Sequence, residues 1–263
     1  MTTYVLYHAN CYDGFGAAWV ARKALPEAIL LPVSYGQPPP PLPDHARVYL
    51  LDFSYPRAIL EKMKIQHENL YVIDHHHTAQ EDLKDLEYAY FDLKHSAVIL
   101  TWRYFCAPLP TPLLLEYIED RDLWKFMLPY SEEVHAWLSS YPREFDVWDG
   151  LMKDFHIDSC CSAGAAIVRF KKQKLEEMCS HASQHTLGGY VDIPHVNVPY
   201  NFGSEAAHLL LTKFPSAPFV AYWFKNAEGQ CVYGLRSRKD FDCSKVAKRF
   251  GGGGHPQASG FII

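Results

Sequence analysis

No run of apolar residues in this chain approaches the roughly 18 that a helical membrane span requires, so no membrane partner is expected. The N-terminus lacks the basic-then-apolar pattern of a targeting segment. No C-x-x-C pair occurs among the seven cysteines, and the adjacent Cys160 and Cys161 are poorly placed to bridge each other. The expectation is reduced thiols and a cytoplasmic protein. Positive charge is not in excess. With 25 Lys and Arg against 30 Asp and Glu, the net charge is −5, which argues against tight binding of long nucleic acid. A small phosphorylated substrate remains open, because bound cations would offset a site's own carboxylates. No internal repeat is visible. What is present is 263 residues, 48% of them hydrophobic, enough for a sizeable core in one large or two modest domains.

The most informative stretch is Val-Ile-Asp-His-His-His, residues 72 to 77, closing a strand-like segment from Leu70 to Ile73. A carboxylate followed at once by imidazoles offers hard oxygen and borderline nitrogen donors, a set that suits Mn²⁺, Fe²⁺ or Zn²⁺. Two other β-rich segments end similarly. Thr3 to Tyr7 runs into His8 and then Asp13-Gly14, and Val48 to Leu51 ends on Asp52. Helical patterns follow: Phe15 to Leu25, stopped by Pro26, and Arg57 to about His67, with Ser54 as the expected N-cap. Alternating strands and helices predict βαβ units and a parallel sheet. The strand C-termini of such a sheet share one edge, where open α/β folds bind ligands.

Residues 37 to 43, Gln-Pro-Pro-Pro-Pro-Leu-Pro, read as a stiff loop between strands at Ile29 to Val33 and Val48 to Leu51. Leu113 to Trp124 is helical by periodicity and ends in the cluster Glu119-Asp120-Arg121-Asp122. From Tyr130 to about Ser159 the pattern is irregular, and an amphipathic helix is expected over Ala165 to Ala182. The expected organisation is residues 1–160, a connecting helix over 161–189 with its Gly188-Gly189 turn, and a smaller α/β unit over 190–263. The last unit should hold strands near Val191 to Val198, Phe219 to Phe224 and Val232 to Arg236, with helices from Ser204 and Ser244.

Residues 230 to 263 carry six Lys or Arg against two Asp. Here a short helix beginning at Ser244 runs into Gly251-Gly252-Gly253-Gly254-His255-Pro256. Four glycines leave the backbone free to adopt φ > 0 and to turn N–H groups toward an anion. His255, Arg236 and Arg238 would add donors.

Taken together, His8…Asp13-Gly14, Asp52-Phe53-Ser54, Asp74-His75-His76, Ile118-Glu119-Asp120, and Arg236-Ser237 with the Gly-Gly-Gly-Gly-His stretch resemble the DHH phosphoesterase superfamily. The form resembled is the two-domain one, with the DHH-associated C-terminal domain and the active site in the cleft between the domains. The resemblance implies a hydrolase with two divalent ions, Mn²⁺ first, with Zn²⁺, Fe²⁺ or Mg²⁺ as alternatives. Such ions stand roughly 3.5–4 Å apart and act through a metal-bound hydroxide. Asp52 would bridge them, His8 and Asp13 would serve one or both, and His75 and Asp120 would hold the second. Asp122 competes with Asp120, which ranks first because it follows the apolar helix face directly. Asp74 would orient its neighbouring imidazole, and His76 would face the scissile phosphate. Arg236, Ser237, Gly252, Gly253, Gly254 and His255 would bind the rest of the substrate.

One departure from the family pattern matters. The first motif usually carries two aspartates two residues apart, whereas this chain reads His8-Ala-Asn-Cys-Tyr-Asp13-Gly14. Either Asn10 or Cys11 substitutes, or the ion there binds weakly and arrives with substrate; a Cys11 thiolate would favour softer metals such as Zn²⁺. The leading expectation is an exonuclease-like phosphoesterase acting on a small nucleotide or short oligonucleotide, with a homodimer compatible. The alternatives are a polyphosphate or pyrophosphate hydrolase, or a nucleotide-binding regulatory protein whose altered first motif has weakened catalysis.

Overall fold

The computed structural model describes residues 1–263, which divide into two compact units, Met1–Val168 and Arg169–Ile263. The first contains β1 (Thr3–His8), α1 (Tyr12–Ala24), β2 (Ile29–Val33), β3 (Arg47–Leu51), α2 (Arg57–Gln66), β4 (Asn69–Asp74), α3 (His77–Leu83) and β5 (Ala89–Phe91). It continues with α4 (Ala97–Cys106), α5 (Leu113–Asp122), α6 (Ser131–Leu138) and α7 (Phe145–Lys153), and α8 (Ile157–Cys179) runs across the division. The sheet order is β2-β1-β3-β4-β5, and every pairing is parallel.

Strand periodicity sorts the apolar residues into two cores. Val5, Tyr7, Tyr49, Leu51 and Ile73 pack on one face with α1, α4 and α5. Leu6, Val48, Leu50, Leu70 and Val72 pack on the other with Leu60 and Met63 of α2. Both faces are covered, so the strands read as nearly continuous hydrophobic runs.

Several boundaries differ from the sequence-based expectation. Pro56, not Ser54, stands at the N-cap of α2, and the cap is supplied from a distance: Asp82 Oδ2 accepts from the Arg57 amide at 3.1 Å. The stretch read as irregular from Tyr130 holds α6, α7 and the start of α8, which begins at Ile157 rather than Ala165. Helix α7 is tied to α1 by Asp149, which accepts from Trp19 Nε1 at 2.7 Å and Arg22 at 3.1 Å and pairs with Lys23 at 2.7 Å. Partial burial alone would raise this carboxyl, but the Lys23, Trp19 and Arg22 donors hold it below the ordinary range. Asp149→Asn should therefore cost about 1 kcal/mol in urea unfolding at neutral pH, after allowing for exposure. Because the folded-state pKa is depressed, the difference from wild type should disappear as pH falls through it. A pH-independent difference would contradict the ionic origin.

The second unit adds β6 (Ser183–Leu187), β7 (Tyr190–Asn197), α9 (Gly203–Lys213), β8 (Phe219–Lys225), β9 (Cys231–Ser237), α10 (Ser244–Lys248), β10 (Gly253–His255) and β11 (Ala258–Ile262). Its sheet order is β10-β11-β9-β8-β7-β6, mixed, with β7 and β8 parallel and the other pairs antiparallel. Gly188 and Gly189, at φ +57° and +85°, form the two-residue turn of the β6–β7 hairpin, where both positions need positive φ. Leu210 and Ala207 of α9 pack on one sheet face with Val196 and Val220, while Val246 and Ala247 of α10 pack on the other with Ile193 and Leu235. No helix is long and apolar enough to cross a membrane.

Candidate active site

Strands β1 and β3 are neighbours, yet the chain leaves β1 toward one sheet edge and β3 toward the other. At such a switch point the loops diverge and open a crevice beyond the strand C-termini. His8 is the last residue of β1 and Asp52 the first after β3. Asp52 has φ +56°, an uncommon conformation for a residue with a side chain, and its amide donates to Ile73 O at 3.0 Å. The turn leaves its carboxylate 1% exposed, with Oδ2 3.3 Å from His8 Nδ1 and Oδ1 3.2 Å from His75 Nε2. Burial alone would raise the Asp52 pKa, but His75 and His8 beside it hold it well below the carboxylate range.

The adjacent histidines after β4 diverge. His75 Nε2 lies among three carboxylates, 3.2 Å from Asp52 and 3.5 Å from both Asp13 and Asp122. His76 Nδ1 lies 2.7 Å from Asp74 Oδ1, which also accepts from the His75 amide at 2.7 Å and the His76 amide at 3.3 Å. Asp74 therefore grips the ring of His76, not that of His75. Burial works against the imidazolium of His76, but the Asp74 charge and hydrogen bond prevail and raise its pKa.

Asp13 has two tasks. Its oxygens accept from the Ala97 and Val98 amides at 2.7 and 2.9 Å, capping the start of α4, while Oδ2 faces His75. Gly14 beside it permits a close approach, since a Cβ there would stand 2.6 Å from His8 O and 3.0 Å from Asp52 Oδ2.

The choice of Asp120 over Asp122 is corrected by the structure. Asp120 accepts from the Met127 and Leu128 amides at 2.9 and 3.2 Å, so it holds the loop after α5, whereas Asp122 faces His75. Asp120→Ala should lower stability by about 1–3 kcal/mol by stranding those amides. Asp122→Asn should leave the melting temperature nearly unchanged and weaken Mn²⁺ binding about 10-fold or more. Calorimetry and metal titration on both variants check this, and the reverse pattern would restore Asp120 to the site.

The donors are of the kind that hold divalent ions. His8, Cys11 and Asp52 offer ligand atoms all within 4.8 Å of one another, as do Asp13, His75 and Asp122. Asp74 Oδ2 is buried without a hydrogen-bond partner. Burial and neighbouring acids push the Asp13 carboxyl well above its usual pKa and raise that of Asp122, as expected where acids gather without enough positive charge. Burial and the charges of Asp52, Asp122 and Asp13 likewise push up the Cys11 thiol. Between the two first-motif candidates, Cys11 stands with His8 and Asp52, while Arg143 donates to Asn10 O at 3.0 Å and Asn10 Oδ1 at 3.4 Å.

Tyr35 was missed from sequence. Its ring packs 4.6 Å from Phe53 and 5.1 Å from His8, centroid to centroid. It follows β2 by two residues, so the rule that singled out the other strand ends applied to it as well.

In the second unit, the glycine run is not an open nest. The Gly251 and Gly252 amides donate to Lys248 O and Ala247 O at 3.1 and 3.0 Å, closing α10, and Gly253–His255 pairs with β11. A Cβ on Gly252 would meet Gly260 O at 2.0 Å, and one on Gly254 would meet Ala258 O at 2.6 Å. These glycines are required by their own sheet. Ser237 is buried, its hydroxyl 2.6 Å from Phe241 O, and Arg236 donates to Leu235 O and Ser204 Oγ at 2.9 and 2.8 Å. Arg238 donates to the carbonyls of Leu211 and Ala217. These side chains stabilise the unit.

Comparison with known proteins gives a match of residues 203–263 to the DHHA1 domain model. The uncharacterized protein R106 of Acanthamoeba polyphaga mimivirus is 30% identical over 98% of this chain and 67% of that protein. Among solved structures, the DHH domain of a protein described as a member of a ribosomal-protein family aligns at TM-score 0.53 and 12% identity, over 99% of this chain and 82% of that one. A pGpG-specific phosphodiesterase, PggH of Vibrio cholerae, aligns at TM-score 0.50 and 12% identity, over 100% of this chain and 93% of that one.

Proposed function

This chain belongs to the DHH phosphoesterase superfamily in its two-domain form, and from that premise we propose that it is a metal-dependent phosphoesterase of small nucleotides or short oligonucleotides. The observation that carries the reading is Asp52 at the β1/β3 switch, in a left-handed turn that faces His8 on one side and His75 on the other. His8 and Asp52 would hold one ion, and Asp13, His75 and Asp122 a second. Divalent ions at these positions supply Lewis-acid stabilisation of phosphoryl charge and ease the deprotonation of water.

The remaining work falls to His76. An ionised carboxylate only accepts hydrogen bonds, so Asp74 fixes the proton on His76 Nδ1 and leaves Nε2 to exchange a proton with the leaving oxygen. The Asp74 carboxylate, 2.7 Å from Nδ1, favours the imidazolium, the form able to protonate an alkoxide. The net charge of −5 supports a small substrate over a long polymer.

The test is a Mn²⁺-supplemented panel of dinucleotides, 3′-phosphoadenosine 5′-phosphate, cyclic dinucleotides and pyrophosphate. Turnover of a dinucleotide or small nucleotide is expected. Turnover of pyrophosphate alone would move the assignment to inorganic phosphoanhydrides, and no turnover with any divalent ion would overturn it.

A further inference from the structure

Cys11 sits where the family pattern places an aspartate, and its surroundings give the substitution a chemical meaning. It is the N-cap residue of α1, in an extended conformation, and its carbonyl accepts from the Phe15 amide at 3.1 Å. The backbone thus holds Cys11 at the helix start, with Sγ within 4.8 Å of ligand atoms of both His8 and Asp52. Three donors of different residues and different elements converge there, one of them a carboxylate that is 1% exposed. Asn10 has φ +58° and is drawn off by Arg143, whose guanidinium also lies 5.1 Å from the centre of the Tyr12 ring. None of the other six cysteines joins such a cluster.

We propose that Cys11 Sγ is a metal ligand and that the centre therefore has unlike halves. His8, Cys11 and Asp52 take a thiophilic ion such as Zn²⁺, while the oxygen-rich half of Asp13, His75 and Asp122 takes a harder ion such as Mn²⁺ or Mg²⁺. The inference rests on the reading of this site as a metal centre. When the ion binds, the S–H bond breaks, the sulfur–metal bond forms and the proton leaves to solvent. Thiolate is a soft donor and carboxylate a hard one, so one substitution in a shared pocket separates the preferences of two adjacent ions. Asp52, facing both halves, is the carboxylate common to them.

The experiment uses the metal-stripped 263-residue chain reloaded with one equivalent of Zn²⁺ and measured by X-ray absorption at the zinc edge. A sulfur shell at about 2.3 Å is expected, and it should be lost in Cys11→Ser. The Co²⁺-loaded chain should show a sulfur-to-cobalt charge-transfer band that Cys11→Ser also loses. In competition between Zn²⁺ and Mn²⁺, Cys11→Asp should reduce the preference for zinc about 10-fold or more. The wild-type spectra need no variant, so a misfolded mutant does not compromise the result. Zinc bound through nitrogen and oxygen alone would overturn the role of Cys11 and leave the metal centre intact. A sulfur shell that persists in Cys11→Ser would also overturn it, by locating the sulfur elsewhere. Failure to bind any divalent ion would remove both this inference and the proposed function.

Discussion

Asp52→Asn is expected to reduce kcat/KM by about 10²–10⁴-fold at saturating Mn²⁺, the equivalent of the 3–5 kcal/mol lost when one partner of a buried charge cluster is removed. Asparagine is the informative replacement. It matches aspartate in shape and is among the few residues that enter the left-handed region readily, so the φ of +56° at this position costs it little. What it removes is the charge between His8, 3.3 Å away, and His75, 3.2 Å away. Two cations held close together repel each other, and an anion between them is what makes both sites bind. The variant should remain folded by circular dichroism and bind Mn²⁺ more weakly. Activity near wild type would contradict the assignment of Asp52 as the shared ligand.

The second large effect is a division of labour between neighbours. His76→Ala should lower kcat by about 10²–10⁴-fold, the usual range for a positioned acid or base, with metal content after dialysis unchanged. His75→Ala should lose metal. The division follows from ring placement: His75 Nε2 lies among Asp13, Asp52 and Asp122, whereas His76 Nδ1 is held by Asp74 at 2.7 Å. Because the Asp74 hydrogen bond favours the protonated ring of His76, wild-type kcat should fall as pH rises through the His76 pKa, while any acidic limb belongs to the metal ligands. His76→Ala should lose this basic limb. Metal loss in His76→Ala with retention in His75→Ala would exchange the two roles.

The parallel sheet, and the gathering of His8, Asp52, Asp74 and His75 at one of its edges, were legible because β1, β3 and β4 are apolar runs that end abruptly on these residues. Local spacing carries that information. The choice between Asp120 and Asp122 was not legible, since both lie in the last turn of α5. Residues two apart on a helix point about 200° away from each other, and which of the two faces the sheet edge depends on how α5 packs and on the loop that Asp120 caps at Met127 and Leu128. Asn10 against Cys11 was undecided for a similar reason: Arg143, which donates to Asn10, is distant in sequence. Helices α6 and α7 escaped notice because, at eight and nine residues, each is too short for its apolar spacing, Val134-Trp137-Leu138 and Phe145-Trp148-Met152, to stand out. The glycine run was legible only in part. Its composition suits an anion nest, yet Gly252 and Gly254 are required by close contacts with Gly260 and Ala258, which only the pairing of β10 with β11 reveals.

The most direct measurement is hydrolysis of a dinucleotide by the 263-residue chain after chelation and after reloading with Mn²⁺. No turnover by the stripped chain and restored turnover on reloading is the expected result. Turnover that survives complete removal of metal, verified by elemental analysis of the same sample, would contradict the account.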